Sequence, residues 1–581
     1  MRQLYQTGRS KGCLPAVRQW LLVATGVMAG GGAWCSIGAR IAKSDPYAAA
    51  YAEVLDHAGI PWTSLDTFAA GALKPHDVLL LCGRGSLSDP DRQALESWLK
   101  EGGLLLVSGS SWGVAESLGL GECLRRPRFE FESQDSSRRI AFGGEPAIAK
   151  SAKVLSQTSD GLAVQSMHAL GKGVSAYFAP HVGQTAALMQ MGRGVDTDAL
   201  GPMDGSAILD DGRLRAEDGV FLDFETDRAG ELFAEPWADR LKESWIEQIV
   251  QLATLSRKPL ALLWHWPNGA RAGASVSIDC ETFDVDQVSN IQRLLRMFGC
   301  PVTWLVAQPG FPLDTYRLFR SWDHEVGLLF TLDDDSGWTE ERLKSQHLAL
   351  ERAASVPQLI SARAVDGRWK GYFDFYEMAE HVGIRVSASK GGRQRGVSGF
   401  LFGTGHPFFP TKLDGTRSKV LECPYSVYLP GEVFPEERFG AFVEAILNSH
   451  GHLHIAFKSD ALSQHHAVDA LRNLLSLCHQ QRVAFLKLSD VYAFERARRT
   501  LKMYFGGNEE SRSLRLASDT DVRGLGVLLL SPGGQVELNG KAVRSLPFPA
   551  YGAQWTHVPL DLESKRLVEL RLSVERDSRA A

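Results

Sequence analysis

Between residues 270 and 497, short apolar runs alternate with longer amphipathic stretches, and this alternation constrains the fold more than any other feature. ASVSID (274–279), PVTWLVA (301–307), HEVGLLF (324–330), GIRVSAS (383–389), HLHIAF (452–457) and RVAFLKL (482–488) read as strands. Helical patterns lie between them at 283–299, 339–355, 372–382 and 434–449. Runs this apolar suit strands buried on both faces, which parallel sheets provide through their crossover helices. About seven strand–helix units predict an irregular (β/α) barrel of the TIM type, short of the full set.

A second α/β rhythm precedes it. In DVLLLCGRGSLSDPDRQALESWLKEGGLLLVSG (77–109), an apolar strand leads to a Ser88/Asp89-Pro90 helix start. Gly102-Gly103 stops that helix, and a second buried strand follows. With a helix and strand in 47–65 and a strand in 171–180, residues 40–185 read as a flavodoxin-like domain. Residues 186–265 carry repeated Asp-Gly turns and one helix near 236–256, and read as a connecting region. From 501 to 581, short alternating strands with glycine-rich turns predict a β-sandwich.

Arg2, Arg9, Lys11 and Arg18 precede the charge-free run 19–39, a pattern that predicts an export signal over 1–33 and no membrane anchor. The chain of 581 residues carries a formal charge of −5 with its basic residues scattered. Nothing in that balance points to nucleic acid or an anionic membrane as partner. GGRQRG (391–396) reads as a solvated loop. None of the eight cysteines has CxxC spacing, which excludes a zinc ribbon.

Barrel enzymes keep their chemistry at the C-terminal ends of the strands. There the chain reads Ser277-Ile278-Asp279-Cys280-Glu281, then HEVG (324–327), Ser361-Ala362-Arg363-Ala364-Val365-Asp366-Gly367-Arg368-Trp369, GFLFGTGHPF (399–408) and Gly451-His452-Leu453-His454 through Lys458. In this order the segments resemble the polysaccharide deacetylase superfamily, the NodB-homology fold of carbohydrate esterases, over residues 266–500. The likeness is strongest to a bacterial multidomain branch with a glutamine-amidotransferase-like N-terminal domain.

That resemblance implies a divalent metal, usually zinc, held by one carboxylate and two histidines. It also implies a second carboxylate as general base and a late histidine as general acid. Asp279 matches the base, Glu281 the metal carboxylate, and Arg363 the residue that holds the base. Trp369 matches a substrate wall, with His406 and Phe408 as further substrate contacts. The histidines are replaced. Leu329 falls at the first ligand position and Asp333 at the second, where Asp333-Asp334-Asp335 is equally a helix-capping loop. Lys458 or Phe457 falls at the acid position, with His454 the only histidine nearby. Strand parity puts His324 on the face opposite 325, 327 and 329.

Three readings stay open. One is a deacetylase-like protein of carbohydrate or exopolysaccharide metabolism with a degenerate metal site, binding glycan only. The second is an active divergent deacetylase that uses zinc. The third is a serine esterase using Ser111 in GSSWG (109–113), with His168 or His181 as base.

Overall fold

Apolar runs such as Val78–Cys82 and Leu104–Ser108 are buried at every position, because the sheet they form is covered on both faces. The computed structural model describes residues 33–134, 137–192, 232–281, 285–332, 337–393, 398–412, 414–508, 510–531, 535–543 and 545–573. Most of the expected export signal, the Asp-Gly turns at 204–219 and Asp333 lie outside the described residues.

The N-terminal sheet runs parallel through Thr63–Ser64, Ile37–Ile41, Val78–Cys82, Leu104–Ser108 and Gly173–Phe178. The antiparallel strands Ala163–Leu170, Ala147–Ala149 and Leu120–Cys123 then extend it. The extension departs from the expected flavodoxin-like order, and Ile37–Ile41 starts the sheet ahead of residue 40. Helix Asp89–Lys100 begins where its capping residues place it: the Ser88 side chain accepts from the Asp91 amide, with Pro90 in the first turn.

Residues 232–265 do more than connect. Helix Trp237–Leu255 buries Trp245, Ile249 and Leu252 in the N-terminal core. Strand Leu260–Leu263 pairs with Val522–Leu530, so the first sheet of the C-terminal sandwich takes in a strand from far upstream. Leu514 and Leu516 of the second sheet share a core with Val527, Leu529 and Val558 of the first.

The barrel strands run in parallel order Ser361–Ala364, Glu325–Phe330, Val302–Val306, Gly273–Cys280, His452–Lys458. Val386–Ser387 follows Ser361–Ala364 on the far side. One extended segment closes the ring: Leu421–Glu422 pairs with Val386–Ser387, and Val427–Tyr428, a few residues on, pairs with His452–Lys458. Backbone bonds continue both seams, from Cys423 N to Ser387 O and from Ser426 N to His454 O. RVAFLKL, expected as a strand, gives only Ala484–Phe485 before helix Leu488–Thr500 begins. Leu488 and Val491 of that helix plug the barrel base among Val386, Ala388, Leu421 and Cys423.

The base is also where the N-terminal domain docks. Asp239 accepts from Thr404 Oγ1 and Gly405 N, at 2.7 Å each. His406 Nε2 donates to Ser449 O (2.7 Å), and its Nδ1 faces His57 Nε2 at 3.0 Å. Glu53 accepts from Arg417 and Arg499, at 2.7 Å each. Among the described residues no helix is long and apolar enough to cross a membrane.

Candidate functional site

The first barrel strand alternates its side chains, so Ser275, Ser277 and Asp279 turn into the barrel while Val276 and Ile278 join the surrounding core. Asp279 stands at the C-terminal end of that strand, and Arg363 reaches it from Ser361–Ala364. Arg363 is fully buried, so its charge needs partners. Nη1 donates to Asp279 Oδ1 (2.6 Å), Nη2 to Ser277 Oγ (2.7 Å) and Nε to Ala388 O (2.6 Å). Its guanidinium lies over the Tyr425 ring at 4.9 Å.

From this floor a chain of groups alternating in sign climbs to the rim. Asp279 Oδ2 is 3.8 Å from Arg393 Nη2, which is 3.2 Å from Asp366 Oδ1. Asp366 Oδ1 in turn is 3.3 Å from Lys458 Nζ, which is 4.0 Å from Glu281 Oε1. Side-chain exposure rises from 2% at Asp279 through 13% at Arg393 to 49% at Glu281. Arg393 also donates to Tyr428 Oη (2.9 Å) and lies over its ring at 4.6 Å. Burial opposes its charge, but Tyr425, Tyr428, Asp279 and Asp366 outweigh that and push its pKa up. At Lys458, partial burial is likewise outweighed, by Tyr428 and Asp366, and its pKa is raised. An ammonium so held is a poor proton donor near neutrality.

Several expected site residues lie elsewhere. His454 is level with Ser275, while Lys458 is level with Asp279, so His454 sits four residues deeper, about 13 Å along the strand. Its Nδ1 donates to Cys423 O and its Nε2 accepts from Ser277 Oγ, at 2.8 Å each. Burial, then the Arg363 charge, drives its pKa well down. Both nitrogens are engaged and neither faces the mouth, which corrects the expected role as acid. Trp369 is 1% exposed, packed with Trp338, Phe375 and Tyr376, and forms core rather than a substrate wall. His406 and Phe408 are buried at the interface with the N-terminal domain, away from the mouth.

The site residues missed from sequence are Arg393, Asp366 and Tyr428. The loop taken as solvated, GGRQRG, supplies Arg393. The Asp366-Gly367 pair in the turn after Arg363 was the available signal for its neighbour.

The donor set does not fit a metal held by one carboxylate and two imidazoles. Leu329 is fully buried against Leu305 and Ala307, with Val365 packed on them, so hydrocarbon fills the first ligand position. Asp279 is shared between two guanidiniums. Among the described residues no group of three His, Cys, Asp or Glu side chains is placed to hold an ion. His324, on the outer face, accepts from Val302 N through Nδ1 and bonds Gln292 through Nε2.

The turn at Ser111 is not a nucleophile elbow. The strained position there is Trp112 (φ 53°), and the Ser111 amide donates to Glu145. His181 bonds Asp45 through Nε2 (2.6 Å) and accepts from Gln184 N through Nδ1 (3.0 Å), which leaves it no free nitrogen.

No family model matches the chain, and no curated protein matches it. Among solved structures it is similar to Agd3, described as a novel carbohydrate deacetylase, with 12% identity, a TM-score of 0.41, and coverage of 94% of this chain and 99% of that one. A second is a polysaccharide deacetylase assignment from Mycobacterium smegmatis: 17% identity, TM-score 0.32, covering 41% of this chain and 94% of the other. A third is a β-galactosidase from Bacillus circulans sp. alkalophilus, at 11% identity and TM-score 0.22, covering 25% of this chain and 28% of the other. All three scores are low, and the function below rests on the mouth itself.

Proposed function

We propose that this chain is a polysaccharide deacetylase-like protein of carbohydrate metabolism that binds glycan at the barrel mouth without a catalytic metal. The observation that carries this reading is the chain Asp279–Arg393–Asp366–Lys458–Glu281 set above a buried Leu329. A sugar hydroxyl both donates and accepts, so a rim that alternates cations with carboxylates satisfies both needs of successive hydroxyls. The motif order from Ser277 to Lys458 supports a carbohydrate ligand, and the basic–apolar N-terminal segment supports export.

Calorimetric titration of the full chain against acetylated and deacetylated hexosamine oligomers tests it. Binding should persist in chelator, with no acetate released. A flat titration across the panel would sink the reading, and chelator-sensitive acetate release would replace it with active deacetylation.

A further inference from the structure

We infer that Arg393 does in this mouth what a divalent cation does in a metal-dependent barrel: its guanidinium is the fixed positive charge on which the site's oxygens converge. One nitrogen atom collects three of them. Nη2 of Arg393 lies 2.9 Å from Tyr428 Oη, 3.2 Å from Asp366 Oδ1 and 3.8 Å from Asp279 Oδ2. These oxygens come from the closing segment, the turn after the Arg363 strand, and the end of the first strand. Elements distant in sequence thus converge on one cation, as ligands do on an ion.

The local backbone supports the arrangement. Asp366 adopts a left-handed conformation at φ 51°, uncommon for a residue with a side chain, within the turn that presents its carboxylate to Arg393. Arg393 is 13% exposed and its guanidinium rests on the Tyr428 ring, so it is a seated group, unlike an arginine that sweeps the surface.

A guanidinium stays charged throughout the working pH range and offers several fixed donors. It therefore neutralises the second oxygen of Asp279 and orders Asp366. A metal ion would also lower the pKa of a bound water to make a nucleophile, and a guanidinium offers water no such coordination. The mouth keeps the charge compensation of a metal site without that chemistry. It follows that Arg393 and a divalent ion compete for the same oxygens.

The inference rests on the mouth being the working site, but its test uses no glycan, so the two ideas fail separately. Mn²⁺ is the probe, since an all-oxygen donor set suits it better than zinc. Mn²⁺ uptake is measured by calorimetry on the full wild-type chain, on Asp279→Asn, on Arg393→Ala and on Arg393→Ala/Asp279→Asn. Wild type should show no uptake that depends on Asp279. Arg393→Ala should gain one site per chain, at least about tenfold tighter than any residual Mn²⁺ uptake by wild type, and the double variant should lose it. Arg393→Gln, which keeps most of the bulk, repeats the test if alanine unfolds the mouth.

Asp279-dependent Mn²⁺ uptake in wild type would overturn the inference, as would folded Arg393 variants that gain none. If both variants lose their near-ultraviolet circular dichroism, saturating Mn²⁺ should restore it, since the ion then replaces the missing cation among the same oxygens. Failure to do so would also overturn the role.

Discussion

Asp279 and Arg363 show what a buried ion pair requires. At 2% and 1% side-chain exposure and 2.6 Å apart, neither charge has water to fall back on. Removing Arg363 leaves Asp279 only the more distant Arg393, at 3.8 Å, and breaking such a buried pair costs up to about 3–5 kcal/mol. Arg363→Ala should lower stability by that amount in urea denaturation, and Asp279→Asn in the same background should recover part of it. An unchanged midpoint in Arg363→Ala would contradict the pairing. This pair was legible from sequence through the motif order that the resemblance supplied, with Asp279 at the end of a strand read from its apolar run. Arg393 was not. Its partners come from positions 279, 366 and 428, and in a loop of glycines and arginines nothing local distinguishes a seated arginine from a solvated one.

At the scale of elements, the opening of HEVGLLF gains a role in holding the barrel base. Glu325 accepts from Thr303 Oγ1 (2.7 Å), Ser361 Oγ (2.5 Å) and Ser489 N (3.0 Å), and Thr303 Oγ1 accepts from Leu488 N (3.1 Å). Two orphan amides at the start of helix Leu488–Thr500 thus find acceptors on barrel strands 185 and 164 residues upstream in sequence. That explains why RVAFLKL looked like a strand: the helix has no side-chain cap of its own at Lys487, so its start signal is tertiary. Glu325→Ala leaves buried donors unsatisfied and should cost about 2–3 kcal/mol, read as a lower urea midpoint. A midpoint equal to wild type would refute the capping role. Helices Val285–Met297, Glu340–Ala354, Asp374–Val382 and Phe439–Asn448 were legible because their amphipathic periods and stops are local, whereas Leu313–Ser321 and His465–Gln480 were not read from sequence.

For the whole molecule, burial of imidazoles sets the response to acid. Desolvation lowers His324 and His450 to about 4 and His406 and His452 to about 3. Unfolded imidazoles titrate near 6.5, so between these values the unfolded chain binds more protons than the folded one. Their contribution is complete above about pH 6.5 and is lost as the pH falls towards the folded values. Glu325 and Glu422, raised by burial, offset part of this. Thermal melts should show a steep fall in Tm between about pH 6 and pH 4, and a stability maximum below about pH 5 would contradict it. The parallel α/β sheet of the barrel was readable from rhythm. The docking was not, since His57 with His406, and Glu53 with Arg417 and Arg499, meet only in three dimensions.

The single segment that completes the barrel has one more consequence. A curled sheet with two free ends would offer two rows of unpaired amides and carbonyls as templates for a neighbouring chain. Because Leu421–Glu422 and Val427–Tyr428 serve opposite ends within one stretch of backbone, both rows are capped together. Protection against strand-to-strand aggregation therefore rests on a few residues. Damage to that stretch would bare two adhesive edges at once.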